Sequence, residues 1–235
     1  MIDVEHPIVI TGASSGIGRA LAIELAARGA SLVLQGRDEG RLEEVRRGVE
    51  RAGGHGESRA LDLTDDAALD AWTDSLGGRG VAALVHSAGL IRLGTVAETD
   101  ADVLDAHHRL NVRAPYRLTR ALLPELEAAA GQVVFVNSGA GLRANARWGA
   151  YAASKFALRA LADSLRQEVA ERGVRVTTVY PGRTATPMQR EVHRQEGRRY
   201  DPDAFVRPED VASQVAALLA LEPPSTVSEL TIRPA

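Results

Sequence analysis

Short apolar runs alternate with helix-period segments from one end of this chain to the other, and few folds accommodate that order. Residues 8–10 read as a strand and 16–28 as the helix after it. Strand 32–34 precedes helix 37–51, and strand 59–63 precedes helix 65–76, with Asp38 and Thr64 as N-caps. Strand 82–85 leads into a long helical stretch over 100–130, where Pro115 and Pro124 are expected to break or kink the helix. Strand 133–136 precedes helix 148–172, which Gly173 stops. Strand 174–179, helix 208–221 and a short strand over 229–232 complete the order. Repeated strand–helix units imply a parallel sheet with helices on both faces. The expected fold is therefore α/β, one domain over residues 1–235, doubly wound around about seven parallel strands. Residues 183–207 read as a polar, irregular connection. A connection that long inside a compact domain suggests a lid over a site.

The first strand runs into Thr11-Gly12-Ala13-Ser14-Ser15-Gly16-Ile17-Gly18. Gly12 permits a tight turn, Gly16 allows backbone close to a pyrophosphate, and Gly18 lets the new helix pack near the sheet. The helix start then points free N–H groups at phosphates, with Ser14, Ser15 and Ile17 in the same turn. This is the Rossmann-like arrangement of a dinucleotide site. At the end of the second strand, Gly36 stands where an acid would bond the adenosine ribose, and Arg37 follows it. An arginine there accommodates a 2′-phosphate, so NADP(H) is expected over NAD(H). Asp38 is read as a cap rather than as the ribose acid.

Composition narrows the chemistry further. The 28 basic and 31 acidic residues of the 235 give a net charge of −3, which removes the electrostatic case for nucleic acid or anionic membrane. With no cysteine, disulfides, thiolate metal sites and a cysteine nucleophile are excluded. No metal site is expected. Asp3 and Glu5 precede any apolar stretch, the reverse of a basic leader, and a cytoplasmic protein is expected.

Tyr151 and Lys155 stand four apart near the start of the longest helix, so they share a face one turn apart. Hydride exchange at a carbinol carbon requires a proton moved on or off the oxygen. Free tyrosine titrates near pH ~10, too high for that work at neutral pH, and a neighbouring lysine cation favours the phenolate. Ser138 follows the buried strand 133–136, at the sheet edge where open α/β folds place ligands. Asn111 lies inside the long helical stretch, where asparagine is a poor residue and needs a reason.

The turn Thr-Gly-x-x-x-Gly-x-Gly, with Asn111, Ser138, Tyr151 and Lys155 in order, resembles the short-chain dehydrogenase/reductase family over essentially the whole chain. The resemblance implies a catalytic tetrad of those four residues, with Asn111 bending its helix and holding a relay water. It implies that Asp62-Leu63 contact the adenine and that Ser87, Ala88 and Gly89 pass beside the adenosine ribose. The family usually has Asn-Asn-Ala-Gly in the last place, so His86 and Ser87 depart from it; His86 is read as structural. Pro181, Gly182, Thr184 and Thr186 match the family's nicotinamide loop, although Thr186 equally suits a helix cap. Tyr151 and Lys155 also touch the cofactor in this reading. The implied activity is NADP(H)-dependent interconversion of a carbonyl and a secondary alcohol on a small molecule, by a homodimer or homotetramer. Two other readings are a non-catalytic NADP-binding regulator and a lyase or epimerase of nucleotide sugars. The first has little reason to retain four tetrad positions, and the second resembles longer chains.

Overall fold

The computed structural model describes residues 5–234; Asp3, part of the leader argument, lies outside them. One sheet holds seven strands, all parallel: β1 (Ile8–Thr11), β2 (Ser31–Gly36), β3 (His55–Ala60), β4 (Ala83–His86), β5 (Gln132–Val136), β6 (Arg175–Pro181) and β7 (Glu229–Ile232). Their spatial order is β3-β2-β1-β4-β5-β6-β7. The order reverses direction between β1 and β4, and that reversal opens a crevice at the carboxyl ends of the strands.

Alternate residues of each strand serve different cores, because successive side chains point to opposite faces. Ile8, Ile10, Leu32, Leu34, Val85 and Val134 pack with α1 (Gly16–Ala26), α2 (Glu39–Arg51) and α8 (Pro208–Leu219). Val9, Val33, Leu84, Val133 and Phe135 pack with α3 (Asp66–Asp74), α5 (Ala114–Ala128) and α6 (Gly149–Glu168). Burial on both faces explains the apolar runs that marked the central strands.

Several boundaries differ from the sequence reading. β3 begins four residues before the expected strand and ends before Asp62 and Leu63. It is an edge strand reading HGESRA, so its polar, partly exposed composition hides it. Thr64 does not cap α3. Asp65 does, accepting from Ala67 and Ala68 backbone N–H, while Thr64 donates its N–H and hydroxyl to Asp62 Oδ1 at 2.8 Å each. Asp38 caps α2 as expected, accepting from Arg41 N–H at 3.0 Å. The stretch 100–130 is not broken at Pro124, which lies inside α5. It is α4 (Ala101–His108), a π-helical turn over Arg109–Arg113, and then α5, with Pro115 in the first turn of α5. α6 stops at Glu168; a separate 3-10 turn over Ala170–Arg172 leads to Gly173 at φ 77°. The connection 183–207 is not irregular. It contains α7 (Pro187–Glu196) and a 3-10 turn over Pro202–Ala204, and a parallel bridge from Thr184 to Val206 closes it. Among the described residues, no helix is long and apolar enough to cross a membrane.

Candidate active site

Two adjoining cavities open at the carboxyl edge of the sheet. The first, about 220 Å³, collects Gly12, Ser14, Ser15, Gly16, Ile17, Arg37, Asp62, Leu63, Ser87, Ala88 and Gly89 from the ends of β1, β2, β3 and β4. The second, about 530 Å³, is lined by Ser138, Pro181, Gly182 and Thr184. Ile17, Asn137, Tyr151, Thr186 and Met188 line both. Lys155 faces the first cavity only. Gly18 and Asn111 line neither cavity and act from behind.

The glycine-rich turn is held by its own residues. Gly12 has φ 66°, and a Cβ there would lie 2.7 Å from the Ala88 nitrogen, so no side chain fits. A Cβ on Gly18 would lie 2.5 Å from the Gly12 carbonyl oxygen, which shows how closely α1 approaches the turn. Thr11 Oγ1 accepts the Ser87 and Ala88 backbone N–H at 3.1 and 3.2 Å, tying β1 to β4. Gln35, which the sequence reading passed over, is fully buried. Its Oε1 accepts Gly12 N–H at 3.3 Å and its Nε2 donates to the Leu61 carbonyl at 2.8 Å. A glutamine inside an apolar strand was the available signal, because such a side chain must find partners.

This first cavity suits a dinucleotide. Ser15, at the N-cap of α1, makes no side-chain cap bond, so that helix start keeps backbone donors for an anion. Arg37 is exposed on its rim and helps hold the Asp62 carboxyl below its ordinary pKa, after the larger effect of the Thr64 hydrogen bonds. Gly36 also lines the cavity, and a Cβ there would come within 3.1 Å of the Ser14 side chain.

The tetrad positions meet at the boundary between the cavities. Tyr151 is buried in the first turn of α6, with Trp148 and His107 rings edge-on at 5.9 and 6.0 Å. Ser138 stands beside the Tyr151 hydroxyl and accepts Ala140 N–H through Oγ at 3.1 Å. Lys155 Nζ lies 5.8 Å from the Tyr151 ring centroid and donates to the Val136 carbonyl at 3.2 Å. Asn137 Nδ2 donates to the Lys155 carbonyl at 3.1 Å, so β5 grips the lysine at both ends. Asn111 lies in the π-helical turn. Its Oδ1 accepts Leu90 N–H at 3.0 Å, and its Nδ2 donates to the Leu90 carbonyl at 3.1 Å and to Ser154 Oγ at 3.0 Å. Ser154 Oγ in turn donates to the Tyr151 carbonyl at 2.7 Å. Asn111 thus ties the strap after β4 to the helix carrying Tyr151 and Lys155.

Enclosure works against the expected lowering of the tyrosine pKa. Burial pushes Tyr151 up to about 12, and the neighbouring Ser138 only partly opposes it. Burial also pushes Lys155 down to about 8. Desolvation outweighs the pull of Ser138 at Tyr151 and is the cause at Lys155, because both groups are enclosed. His107 was not anticipated either. It is fully buried; Nε2 accepts Arg92 N–H at 3.0 Å and Nδ1 lies 2.7 Å from the Val103 carbonyl. Those partners fix the neutral tautomer with its proton on Nδ1, and burial holds its pKa below the ordinary value. Thr186 caps α7 by accepting Gln189 N–H at 3.1 Å while its side chain still borders both cavities. Among the described residues, no cluster of three or more His, Asp or Glu is placed to hold a metal.

Residues 6–197 match the short chain dehydrogenase family. The chain belongs to that family and is by class an oxidoreductase. An uncharacterized oxidoreductase of Staphylococcus saprophyticus is 32% identical over 241 residues, covering 100% of both chains. A short chain dehydrogenase from Escherichia coli CFT073, solved in complex with NADPH, superposes with a TM-score of 0.89 at 31% identity, covering 98% of this chain and 97% of that one. A metagenomic short-chain oxidoreductase solved with NADP superposes with a TM-score of 0.84 at 33% identity, covering 99% and 98%.

Proposed function

We propose that this chain is an NADP(H)-dependent oxidoreductase that interconverts a carbonyl and a secondary alcohol on a small molecule. The observation that carries this is the position of Tyr151, beside Ser138, in the wall shared by the cavity at the glycine-rich turn and the larger second cavity. The NADP-bound relatives and the rim arginine Arg37 support the choice of cofactor. When bound, NADPH supplies a hydride, two electrons, to the carbonyl carbon. Gly12, Ser14, Ser15, Gly16 and Ile17 hold its phosphates, Arg37 the 2′-phosphate, Asp62, Leu63, Ser87, Ala88 and Gly89 the adenosine side, and Pro181, Gly182, Thr184 and Thr186 the nicotinamide side. Gly18 supports the turn.

In reduction, Ser138 holds the substrate oxygen and Tyr151 donates its hydroxyl proton to that oxygen. A pKa of about 12 keeps Tyr151 protonated at neutral pH, the state a donor needs. Lys155 is mostly protonated below about pH 8 and stabilises the phenolate left behind. In oxidation, the Tyr151 phenolate, stabilised by Lys155, takes the alcohol proton as the carbinol hydride leaves for the oxidised cofactor. Asn111 fixes the helix that presents both residues. Residues 1–235 act as one unit in this reading, in the cytoplasm, with 183–207 closing over the second cavity. The exposed Tyr116 on α5 and Phe156 on α6 support pairing through these helices into a dimer or tetramer.

Tyr151→Phe tests the assignment. The variant should lose at least ~10²-fold in turnover, the ordinary worth of a general acid. It should still bind NADPH when titrated by cofactor fluorescence, and more tightly than NADH. Substantial residual activity on a substrate of the unaltered enzyme would remove Tyr151 from its role.

A further inference from the structure

Beside the larger cavity lies a recess of about 180 Å³, lined by Leu93, Ala146, Arg147, Trp148, Glu196 and Arg198. Trp148, Glu196 and Arg198 also line the larger cavity, so the two spaces are continuous. We infer that this recess is an anion subsite that receives a carboxylate or phosphate at the far end of the substrate from its carbonyl. The inference rests on the proposed reduction at Tyr151 and names the class of molecule that reaction takes.

Charge accounting carries the argument. Glu196 is the acid in the recess, and both its oxygens are taken by Arg183, at 2.7 and 3.0 Å. Arg183 also lies 5.9 Å from the Trp148 ring centroid. That bidentate pair is internally neutral and fixed in place. Arg198 approaches Glu196 only to 4.0 Å, beyond hydrogen-bond distance. Arg147 makes no side-chain hydrogen bond or ion pair among the described residues. The acid that feels its charge, Glu98, accepts its own hydrogen bond from Thr95 Oγ1 at 2.8 Å. Three guanidinium groups, Arg147, Arg183 and Arg198, thus stand at or beside the recess against one carboxylate, Glu196, which Arg183 engages fully and Arg198 only loosely. Guanidinium forks match carboxylate and phosphate oxygens geometrically.

The position of Arg147 is also built. Its backbone is in the left-handed region at φ 68°, an uncommon state for a side-chain-bearing residue, and its carbonyl is pinned by Gly94 N–H at 2.9 Å. Besides Ser138 and Tyr151, the larger cavity is lined by the apolar Ile91, Trp148, Met188 and Val192 and by the polar Asn145 and Gln189. The joined space thus combines the polar reacting pair, a set of apolar side chains and a cationic recess. An oxo-acid with an apolar spacer has the complementary pattern.

The test uses the full-length protein with NADPH and a series of oxo-carboxylates of increasing spacer length, their methyl esters and their phosphonate analogues, alongside neutral ketones. The best oxo-acid should exceed its own ester at least ~10-fold in kcat/KM. R147A and R198A should each shrink that ratio, and the double variant should bring it to about one. Preference between carboxylate and phosphonate then tells which acid the recess takes. Equal rates for acid and ester, or an equal loss on both in the variants, would overturn the inference. Reduction of neutral ketones alone would overturn it while leaving the proposed reaction intact. If no carbonyl is reduced, the reaction proposal fails by itself, and calorimetric titration of octanoate into the NADPH-saturated protein decides the subsite. Binding lost in R147A/R198A upholds it, and binding absent from the unaltered protein, or retained in the double variant, overturns it.

Discussion

His86 ends β4 with its ring stacked on Phe135 at 4.9 Å and Nε2 2.8 Å from Thr119 Oγ1. Burial pushes its pKa down to about 3, so it is neutral in the folded protein. An unfolded chain protonates it near pH ~6.5, and stability therefore falls as pH drops from there toward 3, at roughly 1.4 kcal/mol per pH unit from this residue alone. His107, also held below its ordinary value, adds in the same direction. In His86→Asn, chemical denaturation at pH 7 and at pH 5 should show a shallower acid loss than the unaltered protein; an identical slope would show that His86 does not titrate in this window. The same scale shows what residue types reveal. Tyr151 and Lys155 were legible because proton transfer demands that pair on one helix face. Their protonation was not, because it depends on enclosure, by Trp148 at the start of their helix and by His107 from α4. His107 carried no sequence signal at all, since a histidine in an exposed-looking helix turn reads as surface.

The π-helical turn at Arg109–Arg113 is where local pattern and tertiary demand part company. A turn of that kind has no compositional signature, so the break was assigned to proline instead. The mid-helix asparagine was the usable clue, and its three hydrogen bonds to Leu90 and Ser154 supply the reason. Asn111→Ala would strand the Leu90 N–H and carbonyl. It should cost about 2–4 kcal/mol in denaturant unfolding and lower kcat by ~10-fold or more, as the strap and α6 lose their tie. A fully active, fully stable variant would refute that role. β3 begins four residues before the expected strand for a different reason: an edge strand need not alternate cleanly, whereas β1, β4 and β5, apolar on both faces, were plain. The 183–207 connection was recognised as a unit, but its helix is amphipathic with few apolar residues, Val192 being the one that is buried.

At the scale of the molecule, the strand order and the order of motifs along the chain say the same thing: the glycine-rich turn, Arg37, Ser138 and the loop 181–186 follow strand ends at the crevice, and α6 brings Tyr151 and Lys155 to them. Light scattering should report a dimer or tetramer, and a monomer at micromolar concentration would remove the helix-pairing proposal. The partition between the two cavities has a kinetic meaning. Ile17, Asn137, Tyr151, Thr186 and Met188 belong to both, so an occupant of the smaller space forms part of the floor of the larger. A carbonyl compound arriving first would meet an unfinished surface. Turnover should then follow a compulsory sequence, nucleotide on first and off last. Product-inhibition patterns check this: competitive inhibition of NADPH by NADP alone accords with it, and mutual competition between both products and both substrates would contradict it.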